Sequence, residues 1–429
     1  MDKKWLVIIG GILVIILIAT LFSLKNPKVP GTSPSTSLEE CKTLAFKGDE
    51  KINIVFFAEK KEAEKYKNFF LTIKPFDKNA NEFNFFYIDN YAPKCEIYKG
   101  IALLCYNKEL VKKASSCPND ILVVVKEENS KIRSSAYMNV ISLNSKLQTS
   151  VFPHEFAHVF ANLAEEYVPA ELPRSAKNCQ KNCDNFNIKD GCFDGCSKNN
   201  YYRSINDGLM KTLYSKNFGL FNEFLIEQRI KRQSGITGKV VKENTNCAEE
   251  KYYLIEASYN AEGNVVLLSK SIENGCFNGN GYGEYFYSTN DNIQIGNFNP
   301  KFIFTDIQNE EQTSIEGEVF INDNDKIFLL KLPVDERITI LIIKDEINVK
   351  KVTVDENIEG EILLDTGLDE KLIEEGRMRD AIRTIQDWRK EKGLKPGEKA
   401  EYKTNDEFFF KHKEEIEKVT NVELSHLHN

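Results

Sequence analysis

The sequence predicts an α+β protein with four structured parts: an N-terminal transmembrane helix, a mixed α/β domain, a β-sandwich and a small C-terminal α/β module. Three observations predict this order. An uncharged apolar run opens the chain, strand and helix patterns alternate through its first half, and short β-rich runs with Gly- and Asn-rich turns follow. The predicted boundaries are 1–25 for the membrane helix, 26–43 for a linker, 44–236 for the mixed domain, 237–335 for the sandwich and 336–429 for the C-terminal module.

The N-terminal run from Trp5 to Leu24 carries no charge and is flanked by lysines. An apolar helix of about 20 residues is long enough to cross a bilayer. A cleaved signal peptide is the alternative, but its apolar region is usually shorter and ends at a small-x-small site. Ala19-Thr20-Leu21 is a poor site of that kind, so we favour a signal anchor and a single-pass membrane protein. The Pro-, Ser- and Thr-rich stretch 26–37 then predicts a flexible stalk.

The chain has 429 residues, a net charge of −8 and ten cysteines, all beyond the membrane segment. Its acidity argues against a general nucleic-acid binder. An even number of cysteines after an export segment predicts disulfide bonds and a body outside the cytoplasm. Cys179, Cys183, Cys192 and Cys196 form two Cys-x-x-x-Cys pairs, for which two disulfides are favoured over a second, structural zinc ion. The sequence leaves the pairing open.

Apolar runs in the first half predict a twisted mixed sheet with a helix beside it. The predicted strands are Lys51–Phe57, Phe83–Ile88, Ile121–Val125 and Ala136–Leu143, and the predicted helix is Glu59–Phe70. A further helix, 221–232, closes this domain. The third strand is continuously apolar, which is typical of a central strand buried on both faces.

A His-Glu-x-x-His motif, formed by His154, Glu155 and His158, follows these strands. Apolar residues at helical spacing predict a helix here, and Asn162 is suited to end it because asparagine tolerates the left-handed conformation. Residues four apart share one helix face, so both imidazoles can bind one metal ion, while the glutamate between them acts as general base on the metal-bound water. The chain has only five histidines, which makes a chance motif improbable.

A catalytic zinc ion needs a third protein ligand and one position left open for water. The other three histidines lie at the C-terminal end of the chain, so a nearby carboxylate is the natural candidate. Glu165 can turn back toward the metal if the helix ends at Asn162. Glu166 is the alternative, and spacing does not decide between the two.

The stretch His-Glu-Phe-Ala-His followed by Leu-Ala-Glu-Glu-Tyr resembles the signature of the IgA-peptidase-type zinc metallopeptidases, which are relatives of the metzincins. The resemblance implies one catalytic zinc ion, endopeptidase activity and a metzincin-like fold. It also implies that Glu165, in the place of the family's aspartate, is the third ligand. The chain departs from the signature at three positions. Glu165 stands where the family has aspartate, Ala157 where it has glycine, and Asn162 where it often has glycine.

The same resemblance implies that Met210 occupies the place of the methionine turn beneath the zinc ion, although a plain packing role for this side chain is the alternative. Two further candidates come from the residues near the motif. Tyr202 or Arg203 is a candidate to stabilise the oxyanion. The segment 134–137 is a candidate edge strand on which a peptide substrate lies as an added strand, although an ordinary loop is the favoured interpretation of this segment.

The second half of the chain holds no catalytic constellation. Four short runs predict the strands of the sandwich: Tyr252–Ser258, Val265–Ser269, Tyr282–Ser288 and Phe302–Thr305. From about Ile338 the chain resembles the C-terminal region of isoleucyl-tRNA synthetases, which implies a small α/β module with a helix over 372–392. The synthetases' catalytic motifs are absent, so we expect a protein-binding or structural module and no nucleic-acid partner.

These observations predict a membrane-anchored extracellular zinc endopeptidase that acts on peptide or protein substrates. One zinc ion would be bound by His154, His158 and Glu165, and Glu155 would activate the attacking water. A catalytically inactive surface binding module, derived from a peptidase, is the alternative. An RNA-handling protein, based on the C-terminal module, is a third hypothesis.

Overall fold

The computed structural model describes residues 40–426 apart from 50, 189, 235–246, 248–249, 260–264, 278–282, 284, 290–293, 310–314, 323–325, 335–339, 345–348, 354–369 and 396–397. The predicted membrane segment Trp5–Leu24 and the stalk that follows it lie outside the described residues. Within the described part of the chain, no helix is both long and apolar enough to cross a membrane.

The described elements comprise strands and helices in alternation through the first half and mainly strands thereafter. The strands are β1 (Lys42–Ala45), β2 (Ile52–Phe57), β3 (Phe83–Ile88), β4 (Glu96–Tyr98), β5 (Ala102–Leu104), β6 (Ile121–Lys126), β7 (Ser134–Tyr137), β8 (Val140–Asn144), β9 (Phe193–Cys196), β10 (Lys198–Arg203), β11 (Lys251–Tyr259), β12 (Val265–Asn274), β13 (Tyr285–Thr289), β14 (Gln294–Phe298), β15 (Phe302–Ile307), β16 (Glu316–Ile321), β17 (Phe328–Pro333), β18 (Ile340–Lys344), β19 (Val349–Thr353), β20 (Ala400–Thr404) and β21 (Val422–His426). The helices are α1 (Lys60–Phe70), α2 (Lys108–Ala114), α3 (Val151–Ala161), α4 (Leu220–Ser234), α5 (Glu370–Glu391), α6 (Glu407–Lys411) and α7 (Lys413–Thr420).

The largest sheet has eight strands in the order β1-β3-β2-β6-β8-β7-β15-β16. Its centre is parallel, since β2 pairs with β3 and β6, and β6 pairs with β8. Its outer strands are antiparallel. The central strands β2 and β3 are buried along their whole length, as expected for strands covered on both faces. The prediction of a mixed α/β fold is confirmed at this level.

The single strand predicted over 136–143 is wrong. The segment forms two antiparallel strands, β7 and β8, in which Tyr137 pairs with Val140 next to the turn. Met138 adopts the left-handed conformation (φ 55°) at the turn between them. The turn, Met138-Asn139, contains neither glycine nor proline and lies between two apolar runs, so the sequence pattern marks the reversal only weakly.

The helix that carries the motif, α3, lies against the large sheet through a cluster of aromatic rings. Phe152 of α3 packs edge-on against Phe56 of β2, with centroids 5.5 Å apart, and Phe70 of α1 contacts both Phe152 and Phe156 at 5.1 and 4.9 Å. All four rings are fully buried. Aromatic contacts of this kind stabilise beyond the area they bury, and they hold α3 at a defined height over the sheet.

The β-rich region contains two sheets, β12-β11-β17 and β14-β13-β18-β19. Side chains from both, including Ile255 and Tyr287, share one core with Tyr137 of β7. Two expectations about this region differ from the structure. The strand predicted at 302–305 leaves the sandwich: as β15 it joins the large sheet, with β16 beyond it. In addition, β18 pairs with β13, so the predicted boundary at residue 335 falls within one sheet.

Lys331 of β17 is buried where the β-rich region meets the end of α2. Its ammonium donates to Ser115 Oγ at 2.9 Å and to Asn119 Oδ1 at 3.2 Å, and it lies over the ring of Tyr252. Burial lowers the pKa of Lys331 to about 7, against the opposing charge of Asp120. No carboxylate makes an ion pair with this ammonium among the described residues, so its desolvation is incompletely offset.

Lys331→Met is expected to raise the free energy of unfolding at pH 7 by about 1–4 kcal/mol, as buried ionic groups replaced by apolar ones often do. In wild type, the unfolded chain holds this proton up to its ordinary pKa of 10.5, whereas the folded chain releases it near pH 7. Wild-type stability should therefore rise between pH 7 and 10, and the advantage of the variant should shrink over that range. Denaturant titrations at pH 7 and 9.5 test this, with Lys251→Met at an exposed site as control. A variant that is less stable at both pH values would contradict the prediction.

The C-terminal module consists of α5, α6, α7 and the parallel pair β20–β21. Its own small core includes Met378, Ile385, Phe409, Ile416 and Leu424. The described part of this region is therefore a small α/β unit with a long helix, as predicted.

All ten cysteines form disulfides, which confirms that prediction. The pairs are Cys41–Cys117, Cys95–Cys105, Cys179–Cys196, Cys183–Cys192 and Cys247–Cys276. The alternative of a second zinc ion at the Cys-x-x-x-Cys pairs is wrong, because no thiolate remains there to bind it. The loop closed by Cys183–Cys192 lies inside the longer loop closed by Cys179–Cys196.

Candidate metal centre

Helix α3 presents His154 and His158 on one face, one turn apart, and then stops abruptly. Asn162 adopts the left-handed conformation (φ 52°, ψ 41°) as the helix C-cap. The amide of Leu163 donates to the carbonyl of Ala157 at 3.2 Å, and that of Asn162 to His158 O at 3.1 Å. This is the usual way to terminate a helix on asparagine or glycine, and it turns the following residues back toward the imidazoles.

Backbone carbonyls orient both imidazoles. His154 Nδ1 lies 2.9 Å from the carbonyl oxygen of Leu209, and His158 Nδ1 lies 2.6 Å from that of Leu163. A carbonyl only accepts, so each Nδ1 carries a proton and each Nε2 is the ring atom that faces the carboxylates. The two Nε2 atoms are 3.1 Å apart. At that distance they either share a proton or face a cation between them, and an Nδ1 held by a carbonyl is typical of metal-binding histidines.

Glu165 reaches the same place after the turn at Asn162. Its Oε1 lies 2.8 Å from His158 Nε2 and its Oε2 lies 3.6 Å from His154 Nε2. Glu166 faces elsewhere: the side-chain amides of Asn222 and Asn178 donate to its Oε1 at 2.8 and 3.3 Å. Of the two glutamates, the structure therefore brings only Glu165 to the histidines.

A fourth residue, Asp306 of β15, completes the cluster and is absent from the sequence-based prediction. Its Oδ2 lies 3.3 Å from His154 Nε2 and 3.9 Å from His158 Nε2. The hydroxyl of Tyr167 donates to its Oδ1 at 3.1 Å. Asp306 is distant from the motif along the chain, and the pairing of β15 with β7 brings it over α3. The one sequence signal is an aspartate inside an otherwise apolar strand pattern.

The four residues fit a divalent metal ion. One ligand atom from each of His154, His158, Glu165 and Asp306 lies within 4.8 Å of the others, and all four residues are buried. A tetrahedral ion with metal–ligand distances near 2 Å would separate its ligands by roughly 3.3 Å, and the distances given above lie on both sides of that value. Among the described residues, both carboxylate oxygens of Glu165 and Oδ2 of Asp306 are buried and have the Nε2 atoms of the histidines beside them, with no hydrogen-bond donor from outside the cluster. Two imidazoles and two carboxylates suit zinc, but this donor set does not by itself identify the metal.

Glu155 lies beside the cluster, fully buried, and neither of its carboxylate oxygens has a hydrogen-bond partner among the described residues. Burial and the charge of Asp306 raise its pKa well above the ordinary value. Burial also acts on Glu165, but the two histidines outweigh it and lower the pKa of this carboxyl to about 2. Two glutamates in one buried cluster thus differ in proton affinity, one suited to bind a cation and the other to accept a proton.

Comparison with models of known protein families gives no match, and no curated protein is significantly similar to this chain. The resemblance to the IgA-peptidase-type metallopeptidases therefore stays a prediction that rests on the motif residues.

Met210 lies in a turn whose backbone contacts residues of the cluster and their neighbours. Its side chain is fully buried in the main core, and its carbonyl accepts a hydrogen bond from the amide of Glu166 at 3.0 Å. The neighbouring carbonyl of Leu209 orients His154, as described above. The backbone of this turn is thus hydrogen-bonded both to His154 and to the residue that follows Glu165. Side-chain patterns in the sequence do not reveal backbone contacts of this kind.

Tyr202 lies in β10 and forms a two-way backbone bridge with Gln180. Among the described residues, no hydrogen bond or ion pair links Tyr202 to the cluster. The guanidinium of Arg203 is engaged with backbone carbonyls, including Gly195 O at 2.8 Å and Asn206 O at 3.1 Å. Tyr167, to which sequence analysis assigned no role, is instead the tyrosine that contacts a residue of the cluster.

The disulfide Cys179–Cys196 holds the backbone next to Glu165. Ser197, beside one cysteine, donates to the carbonyl of Glu165 at 2.8 Å. Asn178, beside the other, exchanges two hydrogen bonds of 2.8 Å with the backbone of Ala164. These contacts fix the direction in which Glu165 leaves the turn.

If the cluster holds a divalent ion, replacing Cys179 and Cys196 together with serine is expected to weaken its affinity, tested with zinc, by about 10- to 100-fold, the usual effect of losing support around a metal ligand. The matched control is the double replacement of Cys183 and Cys192, the inner loop, for which we expect a smaller loss. Competition with a chromogenic zinc chelator measures both affinities. Equal losses in the two variants would contradict a specific role for the outer disulfide.

Proposed function

We propose that this protein is a zinc-dependent endopeptidase. The observation that carries the proposal is the combination of a buried metal-ligand cluster with an additional buried glutamate, Glu155, whose two oxygens have no hydrogen-bond partner in the part of the chain that the structure describes. A metal site that only stabilises a fold has no need of such a base.

His154, His158 and Glu165 would hold the zinc ion, with the two imidazoles oriented by the carbonyls of Leu209 and Leu163. Zinc, when bound, would supply Lewis-acid chemistry, polarising a peptide carbonyl and lowering the pKa of water. Glu155 would take the proton from the attacking water and pass it to the leaving amine nitrogen. A pKa raised by burial suits this role, because a base with a pKa nearer to neutrality can both accept and return the proton.

The proposal extends to location and substrate. Five disulfides support a body that folds in an oxidising compartment, and the apolar N-terminal run supports an anchor in the cell membrane. Peptides or proteins outside the cytoplasm would be the substrates.

Elemental analysis of the purified full chain tests the metal part of the proposal. One zinc per chain, lost in His158→Ala, is the expected result. Correctly folded protein that holds no zinc after dialysis against a zinc-containing buffer would overturn the proposal.

A closed structural metal site in a non-catalytic binding protein is the second candidate. Four protein ligands without an open position are typical of structural zinc sites, and the cluster has four candidate ligands. Zinc content does not separate the two candidates, but peptide hydrolysis that depends on Glu155 does.

A further inference from the structure

The candidate active site is closed to a peptide in the structure. His154, Glu155 and Glu165 have no exposed surface, and His158 is 2% exposed. A peptide bond must reach Glu155 to be hydrolysed, so an endopeptidase with this site requires that a covering element withdraw.

The covering element is β15. It pairs antiparallel with β7, with Phe304 opposite Ala136 and Asp306 opposite Ser134. Without β15, β7 would be the edge of the large sheet beside α3, and an exposed edge is the surface on which an extended peptide is bound as an added strand. The segment 134–137, predicted to be that open edge, is therefore occupied by the chain itself.

Two side chains of β15 enter the metal centre. Asp306 directs Oδ2 at the histidines, where the fourth ligand of a catalytic zinc ion would be water or substrate. Its Oδ1 accepts the hydrogen bond of Tyr167, as a substrate carbonyl in the same position would. Phe304 lies flat on the imidazole of His158, with ring centroids 4.1 Å apart and an angle of 9° between the planes.

We propose that β15 is an internal pseudosubstrate: it occupies the substrate edge of β7 and places Asp306 in the fourth coordination position, so that the folded chain is a latent peptidase. This inference rests on the proposed function. Withdrawal of β15 would free the edge strand, the fourth position and the hydroxyl of Tyr167 together.

The pocket next to β15 fits this arrangement. It reaches His158 and Val159 and is bordered by Phe302 and Phe304. Both phenylalanines belong to β15, so its withdrawal would extend the pocket along α3 and expose His158 to a substrate side chain.

The hairpin of β15 and β16 contacts Arg133, which precedes β7. Arg133 pairs with Glu316 at 3.2 Å and with Glu318 at 3.8 Å; its own side chain is 11% exposed, whereas both glutamates are more than half exposed. In β16, Gly317 leaves no room for a side chain, since a Cβ there would collide with Asp306 Oδ1 and Tyr167 Oη. The strand that carries Asp306 is thus closely packed over the site.

Asp306→Ala in the full-length, zinc-loaded chain tests the inference. Acetohydroxamate, a small bidentate ligand of zinc, is expected to bind the variant at least about tenfold more tightly than wild type, because only a minor fraction of wild type has the fourth position free. The variant also loses the contacts of Asp306 with the histidines and Tyr167 that hold β15 over the site, so peptide hydrolysis, measured on a quenched-fluorescent peptide library, is expected to rise as well. Asp306→Asn, which retains the shape of the side chain, should give an intermediate result. Zinc content and thermal melting establish that each variant is folded and loaded.

Glu316→Gln is the matched control, because it alters the same hairpin without touching the cluster. It should bind acetohydroxamate as wild type does. Equal acetohydroxamate affinity in wild type and Asp306→Ala would overturn the inference. Equal hydrolysis by the two would also overturn it, while the proposed peptidase function would stand. Tighter acetohydroxamate binding without any hydrolysis would overturn both the latency and the peptidase function.

Discussion

Glu155→Gln is expected to reduce peptide hydrolysis by about 10²- to 10⁴-fold, the usual contribution of a general base, and to leave the zinc content unchanged. The amide keeps the size of the side chain but cannot accept the proton of the attacking water. Because neither carboxylate oxygen of Glu155 has a hydrogen-bond partner within the described ranges, the substitution breaks none of the hydrogen bonds of the described fold. The experiment compares Asp306→Ala with Asp306→Ala/Glu155→Gln, since hydrolysis should be measurable once Asp306 is removed.

Glu166→Gln in the same background is the matched control. Glu166 is equally buried, but its Oε1 accepts from Asn178 and Asn222, and a glutamine can accept the same bonds. We expect hydrolysis and zinc content to stay close to those of the parent. Full hydrolysis in the Glu155 variant would show that Glu155 is not the base. Loss of zinc in the Glu166 variant would favour Glu166 as a ligand.

Removing zinc is expected to lower the free energy of unfolding by about 4 kcal/mol when free zinc is about 1,000 times its dissociation constant. For a domain of this size that corresponds to a fall in melting temperature of roughly 10 °C. The physical reason is the charge of the cluster: without a cation, the carboxylates of Glu155, Glu165 and Asp306 are buried near one another with unpaired oxygens.

Differential scanning calorimetry with and without a chelator measures this effect. His158→Ala provides the control, since a chain that holds no zinc should melt at the same temperature in both buffers. A wild-type melting temperature that does not respond to the chelator, in protein shown to have lost its metal, would contradict a stabilising role for the ion.

The local parts of the metal centre follow from the sequence. Spacing within α3 predicts that His154 and His158 share a face, and the left-handed turn predicted at Asn162 is present with φ 52°. These features depend on residues a few positions apart, where helix geometry and the conformational preference of one asparagine decide the outcome. The same holds for β6, whose continuous apolar run from Ile121 to Val125 indicates a central strand.

The choice between Glu165 and Glu166 depends on the tertiary structure. Both follow the turn, and only the amides of Asn178 and Asn222, from separate parts of the chain, draw Glu166 away from the histidines. Likewise, the disulfides were predicted as a set, but their pairing depends on which sulfurs the folded chain brings together.

Short-range sequence patterns and composition are enough to predict the helix that carries the motif, the alternation of strands and helices and the formation of disulfides. The position of β15 does not follow from such short-range patterns. It lies outside the β-rich region and pairs with β7, which places Asp306 next to His154 and Phe304 on the ring of His158. That contact joins residues far apart in the chain through strand pairing, and strand pairing depends on backbone hydrogen bonds that nearly every residue can make. A side-chain pattern therefore identifies the strand without identifying its partner.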